Sequence, residues 1–226
     1  MISAGGVDFG KSVEEQDNTE NRLEQEVMKF PTPCSNCEHI GNVQMCQSSI
    51  PFFKEIIIMA FICDFCGYRN SEIKEGGGIS EKAKKITLEV KNESDLSRDL
   101  FKSDTAKFSI VELGFDMEPG SMGSVYTTVE GLLVKLIEEL TANNPFGGGD
   151  SALDHKFLDF ISKLEELKDG KKPFTLTLDD PNDNCFIYNP RAPDADPQIT
   201  VELYERTEEQ NEELGIAYMK VDDYTE

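Results

Sequence analysis

Four cysteines stand in two Cys-x-x-Cys pairs, Cys34 with Cys37 and Cys63 with Cys66, on either side of a strand-forming stretch. Thiolates at this spacing suit a redox-inert divalent cation. Each pair folds as a knuckle offering two sulfurs, and two knuckles on neighbouring hairpins complete a tetrahedron. One structural zinc ion is therefore the expected cofactor. Disulfides and a thioredoxin-like redox pair are the alternatives, but a redox pair leaves two cysteines unexplained and needs a βαβ setting that the pattern lacks. Gly67 follows the second pair, where the missing Cβ lets the backbone turn tightly and aim amides at a thiolate. His39 lies near the first pair, but four thiolates already suffice, so it is read as a surface residue. Cys46 and Cys185 are left over, each expected as a free thiol packed like a small hydrophobe.

No other residue set points to chemistry. Asp179, Asp180 and Asp183 invite a catalytic or calcium reading, but they lack the ligand spacing of a calcium loop, and turn chemistry between two strands is the better account. The chain contains no His-Glu-x-x-His, Gly-x-Ser-x-Gly or P-loop pattern, and the glycine runs at 76–78 and 147–149 read as loops. A facial-triad oxygenase needs two histidines and a carboxylate at one site, whereas His39 falls in the cysteine-rich segment and His155 in a helix. A binding module rather than an enzyme is expected.

The elements that position the cysteines follow from hydrophobic period. Residues 1–29 mix small, polar and acidic residues and read as an arm. The zinc finger runs from 30 to 75, and its central stretch from Ile50 to Ile62 is rich in β-branched and aromatic residues. A second domain over 76–215 follows. Strands are expected at Lys85–Lys91 and Lys107–Leu113, with Asp95–Thr105 ambiguous between them. Val129, Leu132, Leu133, Leu136, Ile137 and Leu140 form one helical stripe, with Thr127 and Glu130 placed for a capping box. A second stripe from Leu153 to Leu167 completes a helical hairpin over about 127–170, separated from the first by a break at Asn143–Asp150. Strands resume at Phe174–Leu178, Phe186–Tyr188 and Ile199–Tyr204. Thr207 and Gln210 cap a short last helix that Gly215 stops, and 216–226 form an acidic tail. The fold class is thus mainly β with a helical hairpin.

Acidic residues number 44 against 22 basic, a formal charge of −22 over 226 residues. Such a field repels phosphate and anionic lipid and attracts basic partners. The finger offers only Lys54, Arg69 and Lys74 against five acids, so the footprint of a nucleic-acid binder is missing. Neither a bilayer-length apolar run nor a signal peptide is visible, so a soluble intracellular monomer is expected. Phe52 and Phe53 are candidate anchors for a protein partner, although the strand period turns at least one of them inward. Arg98, Lys102, Asp179, Asp180 and Arg206 are further candidates, taken as surface charges beside turns.

Five segments together resemble one family: Ile50-Pro-Phe-Phe-Lys-Glu-Ile-Ile-Ile-Met-Ala60, Cys63-Asp-Phe-Cys-Gly-Tyr-Arg-Asn-Ser-Glu-Ile73, Thr127-Thr-Val-Glu-Gly-Leu-Leu133, Asp179-Asp-Pro-Asn-Asp-Asn184 and Asn211-Glu-Glu-Leu-Gly215. They resemble the ZPR-one zinc-finger proteins of eukaryotes over nearly everything from Phe30 onward. Members of that family carry two copies of a finger followed by a strand-rich domain. This chain has one copy, and Asn144-Pro-Phe146 with the Asn-Glu-Glu-Leu-Gly ending look like the second. The resemblance implies a four-cysteine zinc ribbon joined to a double-stranded β-helix with an inserted helical hairpin. It also implies binding to translation elongation factor 1A and help with its folding, in cytoplasm and nucleus. An adaptor for receptor tyrosine kinases or nuclear assembly complexes is the alternative it leaves open.

Overall fold

The computed structural model describes residues 27–50, 53–143 and 151–217. Most of the expected arm and tail, the break between the helices and Phe52 lie outside the described residues.

Four antiparallel strands make the first sheet, in the order β1-β2-β3-β4: Met28–Pro33, Ile40–Ser49, Glu55–Ile62 and Arg69–Glu75. Two hairpins, β1–β2 and β3–β4, each carry one Cys-x-x-Cys pair in the turn. The chain divides into two compact units. Among the described residues, the first takes in 27–48 together with Ile57–Ser71, and the second takes in those of Ser49–Ile56 and those from Glu72 onward. The first unit buries little apolar surface, chiefly Cys34, Phe61 and Cys63, with Cys37 and Val43 packed against them. Its core is the metal site itself.

The second unit carries two sheets. One has five strands in the order β12-β5-β10-β7-β8, where β5 is Ala83–Val90, β7 is Lys107–Ile110, β8 is Phe115–Met117, β10 is Phe174–Asp180 and β12 is Ile199–Tyr204. The other has three, in the order β11-β6-β9, formed by Phe186–Ile187, Asp99–Lys102 and Val125–Thr128. Alternation in β5 and β10 sends Ile86, Leu88, Val90, Phe174, Leu176 and Leu178 into one core with Phe108, Ile110 and Leu100. Helices α2 (Val129–Ala142) and α3 (Ser151–Lys168) pack together and add Leu132, Leu133, Leu136, Leu164 and Leu167. Mainly β, with a helix pair set between strands, is the observed class.

Several local expectations need correction. The segment read as ambiguous contains α1 (Glu93–Leu96), whose Asn92 cap is reciprocated by Asp95, and then β6. The strand expected to reach Leu113 stops at Ile110, because a 3-10 turn over Val111–Leu113 ends on Gly114 at φ 56° and returns the chain to pair as β8. Helix α2 is capped by Thr128, whose hydroxyl accepts from the Gly131 amide at 3.1 Å, rather than by Thr127. The ladder from β9 to β6 runs on to the pair Thr128 and Asp99, so the helix cannot begin earlier. Gly131 then occupies the position where a glutamate would have completed a capping box. Helix α4 (Glu208–Glu213) has the expected box between Thr207 and Gln210, and Gly215 follows at φ 73°.

Candidate metal centre

The two knuckles are built alike. The Cys34 amide donates to the His39 carbonyl at 2.9 Å, and the Cys63 amide to the Tyr68 carbonyl at 2.8 Å. The residue after each second cysteine donates back to the first: Glu38 to the Cys34 carbonyl at 2.8 Å and Gly67 to the Cys63 carbonyl at 2.9 Å. Closing that turn puts both residues in the left-handed region, Gly67 at φ 75° and Glu38 at φ 64°. The first knuckle thus asks of a glutamate what the second asks of a glycine.

The four sulfurs all lie within 4.8 Å of one another. Cys34 Sγ is 3.7 Å from Cys66 Sγ, and Cys37 Sγ is 3.5 Å from Cys63 Sγ. A tetrahedral ion with zinc–sulfur bonds of ordinary length spans about 3.8 Å between sulfurs, so the spacing fits zinc. None of the four is in a disulfide. The Asn36 side-chain amide reaches Cys66 Sγ at 3.5 Å and the Asn36 backbone amide reaches Cys34 Sγ at 3.4 Å. The Asn36 amide, followed by that of Tyr68, holds the Cys66 thiol down to about 6. At Cys37 the His39 amide acts in the same sense, but desolvation and the three neighbouring thiols outweigh it and push the group up to about 12. A divalent ion between the four sulfurs favours the ionised form of every one of them. Four thiolates close the coordination shell and leave no position for water, so such a zinc is structural.

Around the knuckles the side chains divide sharply. Cys34 and Cys63 are buried, while Cys66 faces solvent. His39 is no ligand. Its ring stacks on Phe65 at 3.6 Å between centroids, and Nδ1 lies 3.1 Å from the Cys37 carbonyl. Phe65 and Ile40 are 69% and 71% exposed, which makes the knuckles the most openly apolar part of the first unit. Sequence reasoning missed them, although Phe65 stands between two ligands in a turn with no interior to enter.

The charged candidates of the second unit are placed differently from the expectation. Arg98, Lys102 and Asp180 were expected on the surface and are buried. Arg98 donates to Asp196 Oδ2 at 2.6 Å and to Asp95 Oδ1 at 3.0 Å through Nε. Burial opposes ionisation of Asp95 and Asp196. At Asp95 the Lys91 backbone amide, the Gln198 side-chain amide and then Arg98 outweigh it, and at Asp196 the Gln198 backbone amide and then Arg98 do so, which holds both carboxyls below the usual range. Asp180 accepts from the Ser103 and Thr105 hydroxyls, each at 2.7 Å, and from the Asn182 and Asn184 amides at 2.9 and 2.7 Å. It organises the Asp180–Asn184 turn from within. Lys102 Nζ donates to the Ser103 carbonyl at 3.1 Å, and burial pushes its pKa down.

Asp179 and Arg206 are half-buried and already engaged. Asp179 Oδ1 accepts from the Tyr204 hydroxyl at 2.6 Å, and burial together with that bond pushes Tyr204 up to about 12. Arg206 donates to the carbonyls of Ser80, Glu81 and Pro181 and to Asn211 Oδ1. Phe53 belongs to the second unit, its ring 5.7 Å from that of Phe101 and 5.2 Å from that of Phe186. These residues hold loops and strands together; their charge alone could not separate that role from an exposed one. Cys185 is buried, which pushes its thiol up, and Cys46 is half-buried.

The comparisons with known proteins agree with this arrangement. A model of the ZPR1 zinc-finger domain matches residues 26–81, and one of the ZPR1 jelly-roll domain matches residues 94–216. The chain belongs to the ZPR1 family. Its jelly roll is the double-stranded β-helix architecture that the family resemblance implies. Among its relatives, the zinc finger chaperone zpr1 of Schizosaccharomyces pombe is 44% identical over 88% of this chain and 44% of its own length. Zinc finger protein ZPR1 of Homo sapiens is 40% identical over 91% of this chain and 45% of its own length. The chain therefore spans less than half the length of these ZPR1 proteins. An uncharacterized ZPR1-like protein of Pyrococcus horikoshii is 29% identical over 81% of this chain and 80% of its own length.

Proposed function

We propose that this chain is a zinc-organised client-binding module, without a catalytic role, that binds translation elongation factor 1A and assists its folding. The observation that carries this reading is the 44% identity with a relative named as a zinc finger chaperone, across 88% of the chain. The metal site supports it: a closed set of four thiolates organises a surface and offers a substrate nothing to bind. The net charge of −22 supports a basic client, whose approach it would steer, while exposed Ile40 and Phe65 at the knuckles supply apolar contacts that set residence time. A client of this kind puts the site of action in the cytoplasm, with the nucleus as a second compartment.

The test is capture of purified elongation factor 1A by this chain, zinc-loaded and zinc-stripped, with metal content assayed in parallel. Zinc-dependent capture that also senses the nucleotide on the factor is the expected result. No capture by a folded, fully loaded chain would overturn the reading for this module.

A further inference from the structure

Edge strands offer a row of free N–H and C=O groups, and proteins blunt them with proline, charged side chains, above all lysine, bulges or brevity. Most edges here are blunted. In the first sheet β1 carries Lys29, Pro31 and Pro33, and β4 carries Arg69 and Lys74. In the second unit β8, β9 and β11 are edges of three, four and two residues. Strand β12 differs. It is an edge of six residues, Ile-Thr-Val-Glu-Leu-Tyr, with no proline, lysine or arginine and a single charge, Glu202, and its register against β5 runs from Ile199 to Tyr204 without a bulge.

Among the described residues its apolar side is also uncovered. Ile199, Val201 and Leu203 are the Cα partners of Leu88, Ile86 and Lys84, so they stand on the side of the sheet that β5 turns to the core. Ile199 packs against that core, whereas Val201 and Leu203 are 54% and 62% exposed. The core face therefore continues along β12 beyond anything that covers it among the described residues.

Charge identifies what fits there. Between Ile199 and Glu213 the chain carries Glu202, Glu205, Glu208, Glu209, Glu212 and Glu213 against one cation, Arg206, which is spent on four internal acceptors. On the β5 side, Lys84 pairs with Asp183, and Lys82 pairs with Glu205 at 3.0 Å. Lys85 is the Cα partner of Glu202 across the ladder, away from the free edge. A second copy of a chain with net charge −22 would bring the same acids to its own edge.

We propose that the free edge of β12 binds an extended, basic segment of a protein partner as an added strand. The segment carries apolar side chains at alternate positions over Val201 and Leu203, and between them lysine or arginine on the opposite face of the sheet, where Glu202 stands. This deepens the client-binding reading and rests on it. The assay below contains no elongation factor, so its outcome judges the edge alone, and zinc-dependent capture judges the function alone.

The probe is a fluorescein-labelled nine-residue peptide of alternating lysine and valine, titrated into the zinc-loaded full chain and followed by anisotropy. Binding should fall tenfold or more for a peptide with the same residues in blocks, for one with glutamate in place of lysine, and for the double variant Val201→Lys, Leu203→Lys. The exposed helical change Leu158→Lys should leave it unchanged. N-methylation of one alternate set of peptide amides should abolish binding and methylation of the other set should not, because an added strand bonds through every second residue. No binding by the folded chain, equal binding of the block peptide, or tolerance of both methylated sets would overturn the proposal. So would a concentration-dependent dimer removed by the double variant, since that would put a second copy on the edge.

Discussion

At the scale of single residues the zinc centre depends on two kinds of position. The ligands are the first. Structural zinc contributes about 10–16 kcal/mol to small fingers, more than a small sheet can supply by packing. Cys63→Ser should therefore lose bound zinc and the first sheet together, which metal analysis and circular dichroism would show; full zinc retention would remove Cys63 from the site. The left-handed residues are the second. No atom lies within 4 Å of a Cβ added to Gly67, so Gly67→Ala suffers only its backbone conformation, about 1 kcal/mol. Glu38 already bears that strain at φ 64°, and Glu38→Gly should relieve up to about 1 kcal/mol. Competition with a chelator should rank the variants Glu38→Gly, wild type, Gly67→Ala in falling zinc affinity.

At the scale of elements, buried ion pairs and caps join segments far apart in sequence. Arg98 ties the end of α1 to Asp196, ahead of β12. Arg98→Ala leaves two buried carboxylates without their cation and should cost about 3–5 kcal/mol in denaturant unfolding. Asp95 and Asp196 both titrate lower in the folded chain than in the unfolded one. Their stabilisation is fully present above the unfolded value of about 3.9 and is lost as pH falls through the lower folded values. Unfolding midpoints should thus hold from pH 7 to about 5 and drop below about 4, and Asp196→Asn should flatten that drop while lowering the midpoint at pH 7. At the start of α2, Thr128→Ala should cost about 1 kcal/mol and Thr127→Ala should leave the cap bond intact.

Over the whole molecule the two units differ in what stabilises them. The first has a minimal apolar core built on its cysteines, whereas the second buries a contiguous set of aliphatic and aromatic side chains from both sheets and the helix pair. Chelation should therefore remove the strand signal of the first unit and leave a cooperative, zinc-independent unfolding of the second, followed by near-ultraviolet dichroism against denaturant. A single transition abolished by chelator would show that the second unit also depends on the metal. The net charge acts at the same scale. Raising salt from 50 to 500 mM should slow association with a basic client far more than it speeds dissociation, in stopped-flow and surface measurements.

What the sequence by itself determined is what local chemistry dictates. Cysteine spacing specifies four ligands whatever the rest of the chain does, because only a shared cation lets four crowded thiolates ionise. The period of three to four residues placed both helices of the pair, and Thr207 with Gln210 announced α4, since each signal lies within one or two turns. Tertiary structure alone decided the rest. Whether Arg98, Lys102 and Asp180 face water or hold the interior depends on Asp196, Gln198 and the Ser103–Thr105 hydroxyls, which are distant in sequence or mute as a pattern. The same limit applies to β12: Ile199, Val201 and Leu203 read as an ordinary half-buried strand, and only the strand order shows that nothing covers its edge among the described residues. Burial is a property of what packs opposite, and no residue carries that information in its own side chain.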